Sequence, residues 1–235
     1  FRFVEHVPGS RVSFERFEGF FGEDDQPYLD RLNILIMGEA AARDVAFRNR
    51  EIDVSVLGSQ QYQEYQADAD LSKGLLEVAE LFTRVVGFDT TKPPFDDKRV
   101  RQAVNHGIDK DLIIDRLVKG KAFPAVGFMP TTSPAFDPDA QGYAYDPEKA
   151  KALLAEAGYA DGFTLDFRGF PDQAYVQRQE VILNQLSKVG IRGRFANAPI
   201  PETDSRWWGE RQGEAYFSVW TGRPDPTNIY TILYG

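Results

Sequence analysis

Segments with the pattern of a β-strand alternate with helical segments along most of this chain, and this alternation limits the folds that it can adopt. In the second half, two helical segments are each followed by a run of strand character, "FTLDFRG" and "IRGRFA". A third such run, "AYFSVW", comes near the end of the chain. Strands that alternate with helices are typical of α/β proteins. The sequence therefore predicts an α/β architecture with a largely parallel or mixed sheet.

The clearest helix begins after residue 146. Asp146 occupies the N-cap and Pro147 the first helical position, where its missing N–H is no loss. Apolar residues then recur at helical spacing: Ala150, Leu153, Leu154 and Ala157. Gly158 provides a left-handed exit from the helix. A second helix is predicted over 172–189, and Gly190 ends it.

The first part of the chain combines short strands with short helices. The runs "FRFVEHV" and "RVSFERF" flank the turn dipeptide Pro8-Gly9 and predict a hairpin. Further strands are predicted at "LDRLNILIM", at "IDVSVL" and within 75–88. Helices are predicted at 39–49 and at "SQQYQEYQ", with Ser59 as the cap of the latter.

Two adjacent prolines, Pro93-Pro94, interrupt this pattern. They can continue neither a helix nor a strand ladder, so they predict a connector. Asp96 or Asp97 is expected to cap the helix that follows, and Asp109 the next one. The Pro-rich segment 123–145 predicts a long irregular loop, and such loops are usually functional or mobile.

The composition excludes several classes of function. A formal net charge of −9 argues against a nucleic-acid partner, since phosphate binding needs clustered Lys and Arg. No apolar run approaches the ~18 residues of a membrane span. The absence of cysteine rules out disulfides and thiolate chemistry. Since there is no cysteine and neither His6 nor His106 is part of a His-x-x-x-His motif, we expect no protein-built metal site, and we also expect no cofactor.

Several stretches of the chain resemble a known family. They are "FDTTKPPFDDKRVRQAVNHGIDKDLII", "GYAYDPEKAKALLAEAGYADGFTL", "LNQLSKVGIRGRF" and "GRPDPTNIY". In order and spacing they resemble the family 5 extracellular solute-binding proteins, the receptors of ABC importers for oligopeptides, dipeptides, nickel complexes and related solutes. The opening "FRFVEHVPGSRVSFERF" also resembles that family. The resemblance therefore runs from about Phe1 to Tyr230.

The resemblance implies a type II periplasmic-binding-protein fold, in which two lobes with mixed sheets flanked by helices close on a ligand by a hinge. Residues 1–88 would form part of lobe I and residues 89–230 most of lobe II, which grips the ligand. Residues 231–235 would start the return toward lobe I. Family members have further segments at both ends, so we expect this chain to be an incomplete fragment of a longer protein.

The resemblance further implies a receptor that does no chemistry. It would capture a peptide-like or other small polar solute between its lobes and deliver it to the permease subunits of an ABC importer. Its work would be a difference in affinity between open and closed states. We expect a monomer in the periplasm or outside the cell, associated with the cell envelope.

The resemblance also points to a loop in the cleft between the lobes. In family members this loop follows the strand that ends near Trp220, and in peptide receptors an Asp shortly after the Trp pairs with the α-ammonium of the ligand. Here Arg223 occupies that position. Because Arg forms bidentate bonds with carboxylate or phosphate, an anionic, sugar-acid, opine-like or modified-peptide ligand becomes more plausible than an ordinary peptide.

The predicted ligand contacts are Trp220, Arg223, Asp225, Phe128 and Met129. The sequence leaves structural alternatives open for them. Trp220 could be a half-buried core residue, Arg223 could pair with a surface carboxylate, and Asp225 could accept N–H bonds in its own turn. Of the adjacent Trp207 and Trp208, predicted to be helical, at most one can face the core.

The rival hypothesis from another class is a hydrolase or lyase with paired carboxylates, Asp137 with Asp139 or Asp96 with Asp97. Catalytic carboxylates need environments that drive their pKa values apart, whereas these lie at loop and helix-cap positions. No Gly-x-Ser-x-Gly motif or phosphate-cradling Gly loop accompanies them. Two further alternatives are a receptor for nickel chelates or opine-like solutes and a domain kept for protein contacts alone.

Overall fold

The computed structural model describes residues 1–21, 27–222, 225–227 and 231. These residues fall into two compact units, Phe1–Leu75 and Leu76–Gly235. The lobe boundary predicted at 88/89 concerns the complete protein and stays a prediction.

The first unit contains a three-stranded antiparallel sheet and two helices. The strands are β1 (Arg2–Val7), β2 (Arg11–Glu15) and β3 (Arg31–Leu35), in the order β1-β2-β3. The predicted hairpin is confirmed, because β1 pairs antiparallel with β2 across the Pro8-Gly9 turn. The helices are α1 (Ala40–Arg48) and α2 (Ser59–Ala67), followed by a short 3-10 turn at Leu71–Gly74.

Helices α1 and α2 are joined by a partly buried hydrogen bond. Tyr65 is almost fully buried, and its hydroxyl donates to Asp44 Oδ1 over 2.6 Å. This hydrogen bond lowers the pKa of Asp44, and Arg48 lowers it further through a second hydrogen bond and its charge. The predicted cap of α2 was off by one position, because Ser59 is the first helical residue and Gly58 precedes it as the cap.

Two strand predictions, one near the end of this unit and one at the start of the second unit, were wrong in whole or in part. Residues 52–57 form no strand, and Val54 and Val56 are 83% and 81% exposed. Their alternation is that of a half-buried strand, but a strand also needs a hydrogen-bonded neighbour, and no described segment pairs with this one. Within 75–88, only Phe82–Phe88 is a strand.

The second unit is built on a four-stranded mixed sheet. Its strands are β4 (Phe82–Phe88), β5 (Phe163–Gly169), β6 (Ile191–Asn197) and β7 (Ala215–Thr221), in the order β4-β7-β5-β6. Strand β5 runs parallel to both β6 and β7, whereas β4 runs antiparallel to β7. The predicted mixed sheet is therefore confirmed. The carboxyl ends of β5, β6 and β7 and the start of β4 lie at one edge of this sheet.

The second unit contains the helices α3 (Lys98–Gly107), α4 (Lys110–Val118), α5 (Pro147–Glu156), α6 (Gln173–Ser187) and α7 (Ile200–Asp204), which continues into a π-helical turn at Ser205–Gly209. Helices α3 to α6 begin next to the residues predicted to start them, whereas no start was predicted for α7. Each of these four starts with an Asp side chain that accepts a backbone N–H: Asp97, Asp109, Asp146 and Asp172. Residues 119–146, between α4 and α5, form neither helix nor strand, which confirms the predicted long loop.

One face of the mixed sheet carries the main hydrophobic core. Side chains from α3, α5 and α6 pack there on alternate residues of the strands. The large buried side chains of this core include Phe95, Val100, Leu154, Phe167, Leu186, Ile191 and Phe217. Because side chains alternate along β7, burying Phe217 on this face turns its neighbours Tyr216 and Ser218 to the opposite face.

Candidate ligand-binding site

A cavity of about 320 Å³ opens on the face of the mixed sheet opposite the main core. Strands β4 and β7, the loop near residue 128 and the segment after α7 line it. The lining residues are Val85, Val86, Gly87, Phe88, Asp89, Thr90, Thr91, Phe128, Trp207, Trp208, Arg211, Tyr216, Ser218 and Trp220. A second cavity, of about 340 Å³, lies between α4 and α6, and none of the predicted contacts lines it.

Strand β7 supplies one wall of the first cavity through its alternation. Tyr216, Ser218 and Trp220 are two residues apart, so all three point to the same face of the sheet. In the antiparallel ladder with β4, Ser218 lies opposite Val85 and Trp220 opposite Thr83. Regular strand geometry, and not loop conformation, therefore places these three side chains.

Aromatic rings form one end of the cavity. Trp220 meets Phe128 edge to face with ring centroids 5.8 Å apart, and it meets Trp208 in the same way at 6.4 Å. The loop that carries Phe128 is anchored on β4, because the Thr83 hydroxyl donates to the Phe128 carbonyl over 2.9 Å. This end can pack against an apolar or aromatic part of a ligand.

A stacked pair of aromatic rings also belongs to the cavity lining. Trp207 is buried and stacks on Tyr216 with ring centroids 5.3 Å apart, while its neighbour Trp208 is 44% exposed. The prediction that at most one of these tryptophans faces the core is confirmed. The Tyr216 hydroxyl donates to Asp204 Oδ1 over 2.5 Å. Burial raises the pKa of Tyr216, and its bond to Asp204 raises it further.

The other end of the cavity is polar. Burial would raise the pKa of Asp89, but hydrogen bonds from Thr91 and from the Lys92 ammonium outweigh it and hold the pKa below its usual value. Lys92 Nζ also donates to the Arg211 carbonyl over 3.1 Å, which ties the two sides together. The Arg211 guanidinium itself forms no ion pair with any residue in the described ranges. This end therefore offers the Arg211 guanidinium to a polar ligand, beside an Asp89 carboxylate that Thr91 and Lys92 already bind.

The structure brings two of the predicted contacts together and separates two others. Trp220 and Phe128 share the cavity, whereas Met129 is buried at 9% exposure and does not line it. Asp225 is exposed, and its Oδ1 accepts the backbone N–H of Thr227 over 2.9 Å, which lowers its pKa. Arg223 lies outside the described residues. The assignment of these residues as ligand contacts stays a prediction.

Sequence analysis missed several lining residues. Tyr216 and Ser218 could have been found, since they share the spacing of Trp220 on a predicted strand. Asp89 and Arg211 carried no such signal, because their positions depend on how the connector after β4 meets the turn before β7.

The carboxylate pairs of the rival hypothesis serve local structure. Asp97 caps α3 and binds the Arg99 side chain, and Asp96 Oδ1 accepts the backbone N–H of Asp97. Asp137 Oδ1 accepts the backbone N–H of Asp139 over 2.9 Å. In the described ranges no three His, Asp or Glu residues lie close enough together to hold a metal ion. No helix in those ranges is long and apolar enough to cross a membrane.

Comparison with known proteins identifies the class to which this fold and cavity belong. The family model described as bacterial extracellular solute-binding proteins, family 5 Middle, matches residues 1–235. The chain therefore belongs to family 5 of the bacterial extracellular solute-binding proteins.

Similar proteins include two curated relatives and a solved structure. The dipeptide-binding protein of Escherichia coli is 29% identical, and the match covers 100% of this chain and 44% of that protein. Heme-binding protein A of Haemophilus influenzae is 30% identical, and the match covers 100% of this chain and 43% of that protein. The structure of a periplasmic binding protein, DppA, from Helicobacter pylori in complex with peptide STSA matches with a TM-score of 0.85 and 22% identity, over 99% of this chain and 45% of that one. These matches confirm the predicted α/β fold of the periplasmic-binding-protein type. The chain spans less than half the length of each of these proteins.

Proposed function

We propose that this chain is part of the substrate-binding receptor of an ABC importer. The observation that carries the proposal is the family match over the whole of residues 1–235. The receptor captures a peptide-like or other small polar solute between two lobes and passes it to the membrane permease. It acts as a monomer in the periplasm or outside the cell, associated with the cell envelope, and it catalyses no reaction.

The cavity supplies the part of the binding site that belongs to this chain. Its aromatic end, with Trp220 and Phe128, contacts the apolar portion of the solute, and its polar end, with Asp89 and Arg211, contacts polar groups. In the complete protein, residues 1–88 belong to lobe I, residues 89–230 to lobe II, and residues 231–235 start the return to lobe I. The remaining contacts come from the portion of the receptor beyond this chain.

A peptide is one of several solutes compatible with this site. The two curated relatives are named for dipeptide and for heme, so the family accommodates solutes of very different chemistry. Arg223 replaces the acid that would pair with a peptide's α-ammonium, and this favours an anionic, sugar-acid, opine-like or modified-peptide solute. The test is an Arg223→Ala variant of the complete receptor beside an Arg192→Ala control, since Arg192 is exposed on β6. Unchanged affinity in Arg223→Ala would remove Arg223 from the site.

Thermal shift of the complete receptor against a solute library tests the receptor function itself. A bound solute raises the melting temperature by mass action, and a receptor leaves that solute chemically intact. Mass spectrometry of the recovered solute distinguishes this result from turnover. Consumption of the compound would favour the hydrolase hypothesis, and a screen without any binder would favour a domain kept for protein contacts.

A further inference from the structure

Arg178 places a guanidinium over an aromatic ring at one edge of the mixed sheet. It lies on α6, and its Cζ is 5.8 Å from the centre of the Tyr175 ring, within the range of a cation–π contact. Tyr175 in turn packs edge to face on Phe217 of β7, with ring centroids 6.1 Å apart. The aromatic contact positions the half-buried guanidinium but provides no full negative charge beside it.

Arg84 lies on the same face at the start of β4. It is paired with Val219, two residues beyond Phe217 on β7, so alternation puts Arg84 on the face that α6 covers. Burial lowers the pKa of Arg178, and the positive charge of Arg84 lowers it further. Arg84 therefore lies on the part of the sheet face on which Tyr175 packs, and Tyr175 in turn lies under Arg178. The two positive charges disfavour each other.

Neither guanidinium has an acidic partner in the parts of the chain that the structure describes. Arg84 and Arg178 take part in no ion pair and no hydrogen bond there. The charge of Asp172 does reach Arg178, but Asp172 Oδ1 already accepts the Ala174 N–H as the cap of α6. Two neighbouring positive charges, one of them half-buried, are unfavourable unless an anion compensates them.

We propose that Arg84 and Arg178 together bind one oxyanion group, a carboxylate or a phosphate, of the captured solute. Guanidinium groups bind both oxyanions through paired, charge-assisted hydrogen bonds. The location suits a ligand, because β5, β6 and β7 all end at this edge and ligands of open α/β sheets bind beyond the carboxyl ends of the strands. This inference rests on the proposed receptor function, and it uses neither Arg223 nor the cavity.

The first experiment uses inorganic phosphate as the probe, so it needs no identified solute. The complete receptor is titrated with phosphate at constant ionic strength, and its melting temperature is followed. The expected result is a saturable rise that both Arg84→Gln and Arg178→Gln abolish, while the exposed control Arg192→Gln retains it. Since the Arg84 side chain is exposed, Arg84→Gln also guards against a folding defect in Arg178→Gln. Absence of any rise in the wild-type receptor, or an equal rise in all variants, would overturn the proposal.

The second experiment measures affinity for matched pairs of solutes. Dipeptides are compared with their C-terminal amides, and sugar phosphates with the free sugars, which separates carboxylate from phosphate. We expect the wild-type receptor to prefer the anionic member of one pair by about tenfold or more and Arg178→Gln to lose that preference. If solutes bind without preference for the anion, the oxyanion site is wrong and the receptor function stands. If no solute binds at all, the receptor function fails, and the phosphate titration still decides the anion site.

A carboxylate from the portion of the receptor beyond this chain is the competing occupant. It would make Arg178→Gln less stable in the absence of any anion and leave both the phosphate response and the solute preference unchanged. That result would overturn the proposal.

Discussion

The ring of Trp220 meets the ring of Phe128 edge to face, with centroids 5.8 Å apart. Trp220 lies near the end of β7 and Phe128 belongs to the long loop before α5, so the contact joins two distant parts of the sequence. Thr83 holds the loop in this position through its bond to the Phe128 carbonyl. The contact therefore builds the aromatic end of the cavity, which can pack against an apolar or aromatic part of a ligand.

Removing the Trp220 ring is expected to weaken solute binding. Trp220→Ala in the complete receptor should lower affinity about tenfold or more, because buried aromatic anchors dominate binding energies. Calorimetric titration with a solute found by thermal shift measures the change. Phe123→Ala is the matched control, since Phe123 is 67% exposed and lies outside the cavity lining. Equal affinities for wild type and Trp220→Ala would exclude Trp220 from the site.

The hydroxyl of Tyr216 is expected to stabilise the cavity wall to which Tyr216 belongs. Tyr216→Phe should cost about 1–2 kcal/mol of unfolding free energy, because it leaves Asp204 without its short hydrogen bond. Urea denaturation gives the value. Tyr145→Phe, at an exposed tyrosine, should change stability little. Similar losses in the two variants would show that the bond to Asp204 adds no net stability.

Gly162 is expected to tolerate no side chain. Its φ is +73°, and a Cβ there would lie 1.9 Å from the carbonyl oxygen of Gly190. Gly120 has a similar φ of +78°, but a Cβ there would meet nothing within 4 Å. Gly120→Ala should therefore lower the free energy of unfolding by about 1 kcal/mol, from the backbone conformation alone. Gly162→Ala should lower it by roughly 1–3 kcal/mol more, because of the clash. Equal losses in urea denaturation would contradict this contrast.

Asp97 is expected to contribute stability that disappears in acid. Hydrogen bonds from the Arg99 side chain and backbone hold the pKa of Asp97 below its usual 3.8. Because the folded-state pKa is lower than the unfolded one, the contribution is complete above the unfolded value and is lost as pH falls through the folded value. The stability difference between wild type and Asp97→Asn should thus be constant from neutral pH to about pH 5 and shrink below about pH 3.8.

Urea midpoints measured across this pH range provide the check. Asp115→Asn is the control, because Asp115 is 75% exposed and its ion pair with Arg116 is correspondingly weak. If the stability difference between wild type and Asp97→Asn stayed constant down to the lowest pH, the ionised Asp97 carboxylate would add no stability through Arg99.

The sequence predicts those parts of the fold that depend on local chemistry. Asp146 followed by Pro147 defines the start of α5, and the cap at Asp97 defines that of α3, because each cap acts within three residues of itself. The mixed sheet also follows, since strands separated by helices leave few alternatives. Local chemistry does not decide whether residues 52–57 form a strand. Their pattern is suitable, but pairing is a long-range property, and no described segment pairs with them.

The candidate site is less predictable for the same reason. The sequence predicts Trp220 and Phe128 as ligand contacts, but the contact between their rings depends on the path of the long loop. Phe128 lines the cavity, whereas its neighbour Met129 is buried and does not line it. The sequence of an irregular loop does not specify which of two adjacent side chains faces the cavity. The sequence does not predict that Arg84 and Arg178 lie near each other, because their proximity depends on both strand register and helix packing.

Measuring the melting temperature of the complete receptor with a solute library, and recovering each stabilising solute for mass spectrometry, tests the central claim most directly. We predict that at least one solute raises the melting temperature, is recovered unchanged, and loses its effect in Trp220→Ala. A solute that is chemically converted, or a library in which none stabilises the protein, would contradict the claim that this family 5 chain serves as a solute receptor.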